Sequence, residues 1–201
     1  MKDPIFIGSS VAIVTPFTNG MINYDRFHEL IDWQIASGTS AITVCGTTGE
    51  SSTLSSCEYE ELLFKCVEFV DGRVKVIAGA GSNNTMHALD LCHKAEDIGV
   101  DGLLIVTPYY NKTTQPGLIN HYTYIADRVK TPIIMYSVPS RTGMSLSIEA
   151  LKILSQHPMI NGLKDANSNL SQMVGTIAEC GDNLNIWSGN DDETVALMSM
   201  G

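Results

Sequence analysis

Basic residues are scarce in this chain. Twelve Lys and Arg stand against 22 Asp and Glu in 201 residues, a formal charge of −10 with a pI near 4.8. Such a balance repels a phosphate backbone, so nucleic acids and anionic membranes are excluded as partners. A small anion would have to be held by a few local donors working against the overall field. Paired cysteines are missing too. The five present (Cys45, Cys57, Cys66, Cys92, Cys180) are odd in number, show no C-x-x-C spacing and sit mostly in apolar-periodic segments, the usage of a reducing cytoplasm. The five histidines form no H-x-x-x-H or H-E-x-x-H pair, so no metal is expected. Residues 4–24 lack charge, but Gly8, Pro16, Asn19 and Gly20 interrupt them, which fits neither a spanning helix nor a secretory signal. What remains is an ordinary globular composition, 44% hydrophobic with 17 Gly and 7 Pro, long enough for one layered core. The expectation is a soluble cytoplasmic protein with one domain over residues 1–201.

Short apolar runs rich in Val and Ile alternate with longer helix-patterned stretches. The runs fall at 11–17, 41–45, 75–80, 102–107, 132–138, 160–163 and 184–187. Helical spacing covers 24–37, 55–70, 85–98, 115–129, 147–156, 170–179 and 191–200. At the second of these helices, Ser55 lies three residues before Glu58 in a capping-box pattern and Gly72 follows the end. Runs that are apolar throughout belong to parallel strands covered by helices. An open dinucleotide-type sheet would show G-x-G-x-x-G after its first strand, and none follows here. The pattern therefore predicts an α/β fold of the TIM (β/α)8 barrel type. Only seven βα units are legible, so the eighth strand and the C-terminal helices are expected to be missing and the domain truncated at its C-terminus.

Barrel enzymes work at the C-terminal ends of their strands. Among eight lysines only Lys164 falls at such an end; the others lie at the terminus, in helices or their ends, in a loop, or at a strand start. A partly desolvated amine there can attack a carbonyl and form a Schiff base, though a lysine paired with Asp165 fits the same position. Thr47 and Thr48, between two glycines after the second run, offer hydroxyls and N–H groups to a carboxylate, or simply form a glycine-containing turn. Tyr136 and Tyr110 end the fifth and fourth runs and suit proton relay, or a buried phenol with a satisfied hydroxyl. Arg141, alone among the arginines in a mouth loop, suits bidentate capture of a second carboxylate, or a tie to loop carbonyls.

Gly46-Thr-Thr-Gly-Glu-Ser, Tyr109-Tyr-Asn-Lys, Tyr136-Ser-Val-Pro-Ser-Arg-Thr-Gly and Gly162-Leu-Lys-Asp-Ala, in this order, resemble the dihydrodipicolinate synthase family of pyruvate-dependent class I aldolases. The resemblance implies a lyase without cofactor. In it, Lys164 condenses with pyruvate and the enamine adds to L-aspartate 4-semialdehyde, giving 4-hydroxy-tetrahydrodipicolinate for diaminopimelate and lysine biosynthesis. It also implies a proton relay of Thr47, Tyr136 and Tyr110, with Tyr110 reaching in from a neighbouring subunit of a homotetramer, a dimer of dimers at full length. Thr48 is then the pyruvate-carboxylate contact, Arg141 the semialdehyde-carboxylate contact and Gly189 a backbone contact near the substrate.

Departures are informative. Ser137 and Asn190 stand where Asn and Asp are common. At the position where lysine inhibits some relatives, Ser51, Asn83 and Tyr109 match, but His87 replaces an acidic residue and Ser56 a histidine. Weak or absent inhibition by lysine is expected, as is loss of activity in a polypeptide ending at Gly201. The rivals are a sibling lyase, such as N-acetylneuraminate lyase or a 2-keto-3-deoxy-sugar-acid aldolase, and an inactive barrel that only binds small carboxylates.

Overall fold

The computed structural model describes residues 2–200. Parallel strands alternate with helices along the chain, as the period of the apolar runs predicts. The residues group into two compact units. One comprises Ile5–Ala80 and Asp90–Leu104, the other residues 2–4, 81–89 and 105–200.

The first unit opens with strand β1 (Ser10–Ala12) and a small antiparallel hairpin, β2 (Phe17–Thr18) and β3 (Met21–Ile22). Helix α1 (Tyr24–Ala36), strand β4 (Ala41–Val44), helix α2 (Ser56–Val70) and strand β5 (Lys75–Gly79) follow. The unit then takes in most of helix α3 (Thr85–Ile98) and the first half of strand β6 (Gly102–Val106). Strands run parallel in the order β1-β4-β5-β6. All four residues of β4 are buried, as a strand with no solvent face requires. Phe27 and Ile31 of α1 and Leu62, Leu63 and Cys66 of α2 are fully buried at three- and four-residue spacing. Ser55 caps α2 by accepting from the Glu58 N–H, while the Glu58 carboxylate accepts from the Ser55 N–H.

The run expected at 11–17 is corrected here. Strand β1 stops at Ala12, and Phe17 is exposed in the hairpin. Pro16 has no N–H for a ladder, and Asn19 and Gly20, at φ of 53° and 80°, form a tight turn that an Asn-Gly pair favours.

The second unit carries the end of β6, helix α4 (Gln115–Ala126), strand β7 (Ile133–Ser137), the short helix α5 (Pro139–Thr142) and helix α6 (Ile148–Ser155). Strand β8 (Ile160–Asp165), helix α7 (Leu170–Cys180), strand β9 (Asn185–Ser188) and helix α8 (Thr194–Met198) complete it. Its strands are parallel in the order β6-β7-β8-β9. Strand β8 extends two residues beyond the apolar run 160–163, so Lys164 and Asp165 lie inside the ladder. The start of β8 is pinned by Lys2, whose ammonium donates to the carbonyls of Ser155, His157 and Ile160 at 2.6–2.7 Å. Asn161 and Asn185 side chains donate to the carbonyls of Asp3 and Lys2. Each acceptor is thereby satisfied in a partly buried position, where an unpaired group is costly.

Burial in this unit also fixes one histidine. His121 on α4 is 5% exposed, pairs its Nδ1 with the Thr85 hydroxyl at 2.9 Å and leaves Nε2 without a partner. Desolvation lowers its pKa to about 4. As the pH falls below the ordinary histidine value, the unfolded chain takes up a proton that the folded chain refuses. Stability therefore declines between about pH 6.5 and pH 4, by roughly 3 kcal/mol in total. Denaturant midpoints should show the native protein losing stability relative to His121→Asn over this interval, with the difference constant above pH 7.

Candidate active site

The ladder of the second unit brings three side chains into one row. In register, Tyr136 of β7 stands beside Lys164 of β8, and Lys164 beside Trp187 of β9. Strand alternation puts these three on one face of the sheet, and Ser137, Asp165 and Ser188 on the other. A pairing of Lys164 with Asp165 is thus replaced by a different neighbourhood: the ammonium lies 4.6 Å from the centroid of the Tyr136 ring, within cation–π range.

Lys164 is half-buried, and desolvation lowers its pKa; the nearby Arg141 charge acts in the same direction, while Asp191 opposes both. Burial raises the Tyr136 phenol, with Arg141 as a smaller opposing influence. Tyr136 is therefore kept a protonated phenol, a donor beside an amine whose charged form burial disfavours. Arg141 sits exposed on α5 at the end of β7, close enough for its charge to bear on both groups. Gly189, just beyond β9, donates its N–H to the Asp165 carbonyl at 2.6 Å. A Cβ at Gly189 would lie 3.3 Å from Lys164 Cε and 2.9 Å from Ala166 Cβ, so this glycine leaves room for the lysine stem.

Three other predicted residues of this unit lie at its loops. Tyr110 is 92% exposed and holds φ at 67°, an uncommon conformation for a tyrosine. Tyr109 is partly exposed, and Asn83 accepts at its carbonyl from the Asn111 side chain at 3.2 Å. Tyr136, Lys164, Arg141 and Gly189 are thus brought together, whereas Tyr110 presents its ring to solvent.

Thr47, Thr48 and Ser51 belong to the first unit. The loop leaving β4 turns at Cys45, a buried residue with φ of 54°. Gly46 accepts at its carbonyl from the N–H groups of Gly49 and Ser51, and Thr47 from that of Glu50. This closed turn leaves both threonines exposed at the C-terminal end of the strand. The tightness has a cause in β5. A Cβ on Gly79 would lie 2.1 Å from the Cys45 carbonyl oxygen, so the turn rests directly on a glycine backbone.

Residue-by-residue reading passed over Thr107 and Trp187. Thr107 is fully buried at the end of β6, donates its N–H to the Tyr136 carbonyl and has a hydroxyl with no partner. Trp187 reads as one more apolar strand residue; only the register reveals its place beside Lys164.

The Dihydrodipicolinate synthetase family model matches residues 5–201. The chain is 48% identical over 197 residues to 4-hydroxy-tetrahydrodipicolinate synthase 1 of Clostridium acetobutylicum, spanning 98% of this chain and 67% of that relative. It is 49% identical to the 4-hydroxy-tetrahydrodipicolinate synthase of Geobacter sulfurreducens, again over 98% of this chain and 68% of the other. Among solved structures, dihydrodipicolinate synthase from Thermotoga maritima superposes with a TM-score of 0.95 at 41% identity, covering 98% and 68% of the two chains. That from Aquifex aeolicus does so with a TM-score of 0.94 at 40% identity, covering 96% and 67%. The chain thus spans about two thirds of the length of these relatives.

The face opposite Lys164 has its own titration. Burial pushes the Asp165 carboxyl up to about 6, against hydrogen bonds from Asn167 N–H and the Ser137 hydroxyl that favour its charged form. The fold thus keeps a proton that the unfolded chain releases near pH 4. Stability from this group is present below that pH and is lost as pH rises through 6. Asp165→Asn should raise the denaturation midpoint at pH 8, by about 1–2 kcal/mol for a partly exposed group, and leave it unchanged at pH 4.

Proposed function

Since this chain belongs to the Dihydrodipicolinate synthetase family, we propose that it carries the chemistry of a 4-hydroxy-tetrahydrodipicolinate synthase, condensing pyruvate with L-aspartate 4-semialdehyde for diaminopimelate and lysine biosynthesis. The observation that carries this reading is the Lys164 amine, desolvated near the C-terminal end of strand β8 over the Tyr136 ring.

The neutral amine attacks C2 of pyruvate, water leaves, and an iminium forms on Lys164. Loss of a C3 proton gives an enamine, whose C3 adds to the aldehyde carbon of the semialdehyde. The amino group of that adduct then attacks C2, closing the ring and returning the lysine amine. Thr47, Tyr136 and Tyr110 move the protons; the exposure of Tyr110 supports its serving a neighbouring copy in a homotetramer. Thr48 holds the pyruvate carboxylate, Arg141 that of the semialdehyde, and Gly189 lines the bound imine. We place these residues at the mouth of a single (β/α)8 barrel domain in the cytoplasm. Ser51, Asn83 and Tyr109 form a vestigial inhibitor site, so sub-millimolar lysine leaves the rate unchanged. Arg141 disfavours a sibling sugar-acid lyase, because a hydroxyl-bearing aldehyde calls for neutral hydrogen-bonding partners where a guanidinium stands.

Pyruvate with borohydride is expected to add a reduced three-carbon adduct at Lys164, detected by peptide mass and absent in Lys164→Arg; an unmodified Lys164 in the native protein would overturn the reading. In a coupled assay, Arg141→Ala should lower kcat/KM for the semialdehyde about 10- to 100-fold, the loss of one charge-assisted contact. The rate of pyruvate adduct formation should change far less.

A further inference from the structure

Gly162 and Lys164 are two residues apart on β8 and so face the same side of the sheet as Trp187. The indole of Trp187 leans across onto Gly162. A Cβ built there would lie 2.4 Å from Trp187 Cζ3, closer than real contacts allow, and 2.5 Å from the Asn185 carbonyl oxygen. Glycine at 162 is therefore what admits the ring. Its six-membered edge lies against β8 at Gly162, on the strand-start side of Lys164, while the Tyr136 ring flanks the ammonium from β7. The reactive side chain is thus bracketed by two aromatic residues contributed by its two neighbouring strands.

We propose that Trp187 is the positioning residue of the lysine: admitted by Gly162, its indole forms the dry floor on which the Lys164 stem rests, keeping water off one side of the amine and directing it toward the Tyr136 ring and the mouth. This rests on Lys164 being the Schiff-base lysine. A flat, apolar surface suits the task because it excludes water without offering the amine an acceptor that would hold it protonated. Few other groups act on that amine. Arg141 on α5 and Asp191 just beyond β9 bear on its charge, and Tyr136 is the titratable group facing it from β7. Asp165 stands on the opposite face of β8.

The test reads the amine directly. Competitive labelling of the native protein with a small acylating reagent across a pH series, followed by peptide mass analysis, gives the apparent pKa of Lys164 without substrate. Trp187→Ala is expected to raise it by about one pH unit, as water gains access. Trp187→Phe should restore most of the native profile. A profile identical in wild type and Trp187→Ala, with circular dichroism unchanged, overturns the proposal. Should Trp187→Ala fail to fold, Trp33→Phe leaves Trp187 as the lone tryptophan. Its emission should then shift on reductive trapping of pyruvate at Lys164, and a trapped protein with unaltered emission refutes the floor. An absent pyruvate adduct in the native protein, by contrast, removes the catalytic reading and leaves the labelling result to decide the position of the ring.

Discussion

The backbone ladder joining β7, β8 and β9 is the constraint on which the rest depends. Parallel register leaves little freedom: once Tyr136 is paired with Lys164, and Lys164 with Trp187, their side chains must share a face. A one-residue slip of β8 would exchange Lys164 for Asp165 in that row. It would put a carboxyl under the phenol and turn the amine to the opposite face, beside Met135 and Ile186. Chemistry at this position is thus protected by the same hydrogen bonds that build the sheet, and the unusual electrostatics of the two faces, a depressed amine and an elevated carboxyl, follow from it.

The two glycines that matter most act by omission. Gly79 lets the turn after β4 rest on the neighbouring backbone, and Gly162 lets the edge of an indole approach β8. Neither has a positive φ, so their value lies in the volume they leave empty and owes nothing to conformational freedom. Each lies beneath chemically interesting residues, Thr47 and Thr48 in one unit and Lys164 in the other.

Most of the fold was legible because its signals are local. Ser55 and Glu58 announce a helix start by themselves, and a short segment such as 41–45, apolar but for Thr43 and rich in β-branched residues, reads as a buried strand. What stayed hidden depends on partners distant in the chain. The hairpin at 17–22 lay inside what reads as one apolar run, although Asn19-Gly20 carried the signal for its turn. Lys164 could be singled out because few lysines end strands. The role of Trp187, by contrast, needs the register of two strands and the missing side chain of Gly162 together, and no spacing rule encodes both.

The hold of Lys2 on the start of β8 has a consequence for the order of assembly. Its three carbonyl acceptors lie 153 to 158 residues downstream. Closing so long a loop is entropically slow compared with forming any helix of the unit. A nascent chain that has not yet emerged past Ile160 offers the Lys2 ammonium none of its carbonyls in their final arrangement. Lys2 is consequently among the last residues of the unit to find its place, and the strand bearing the reactive amine is locked down only when these distant segments meet.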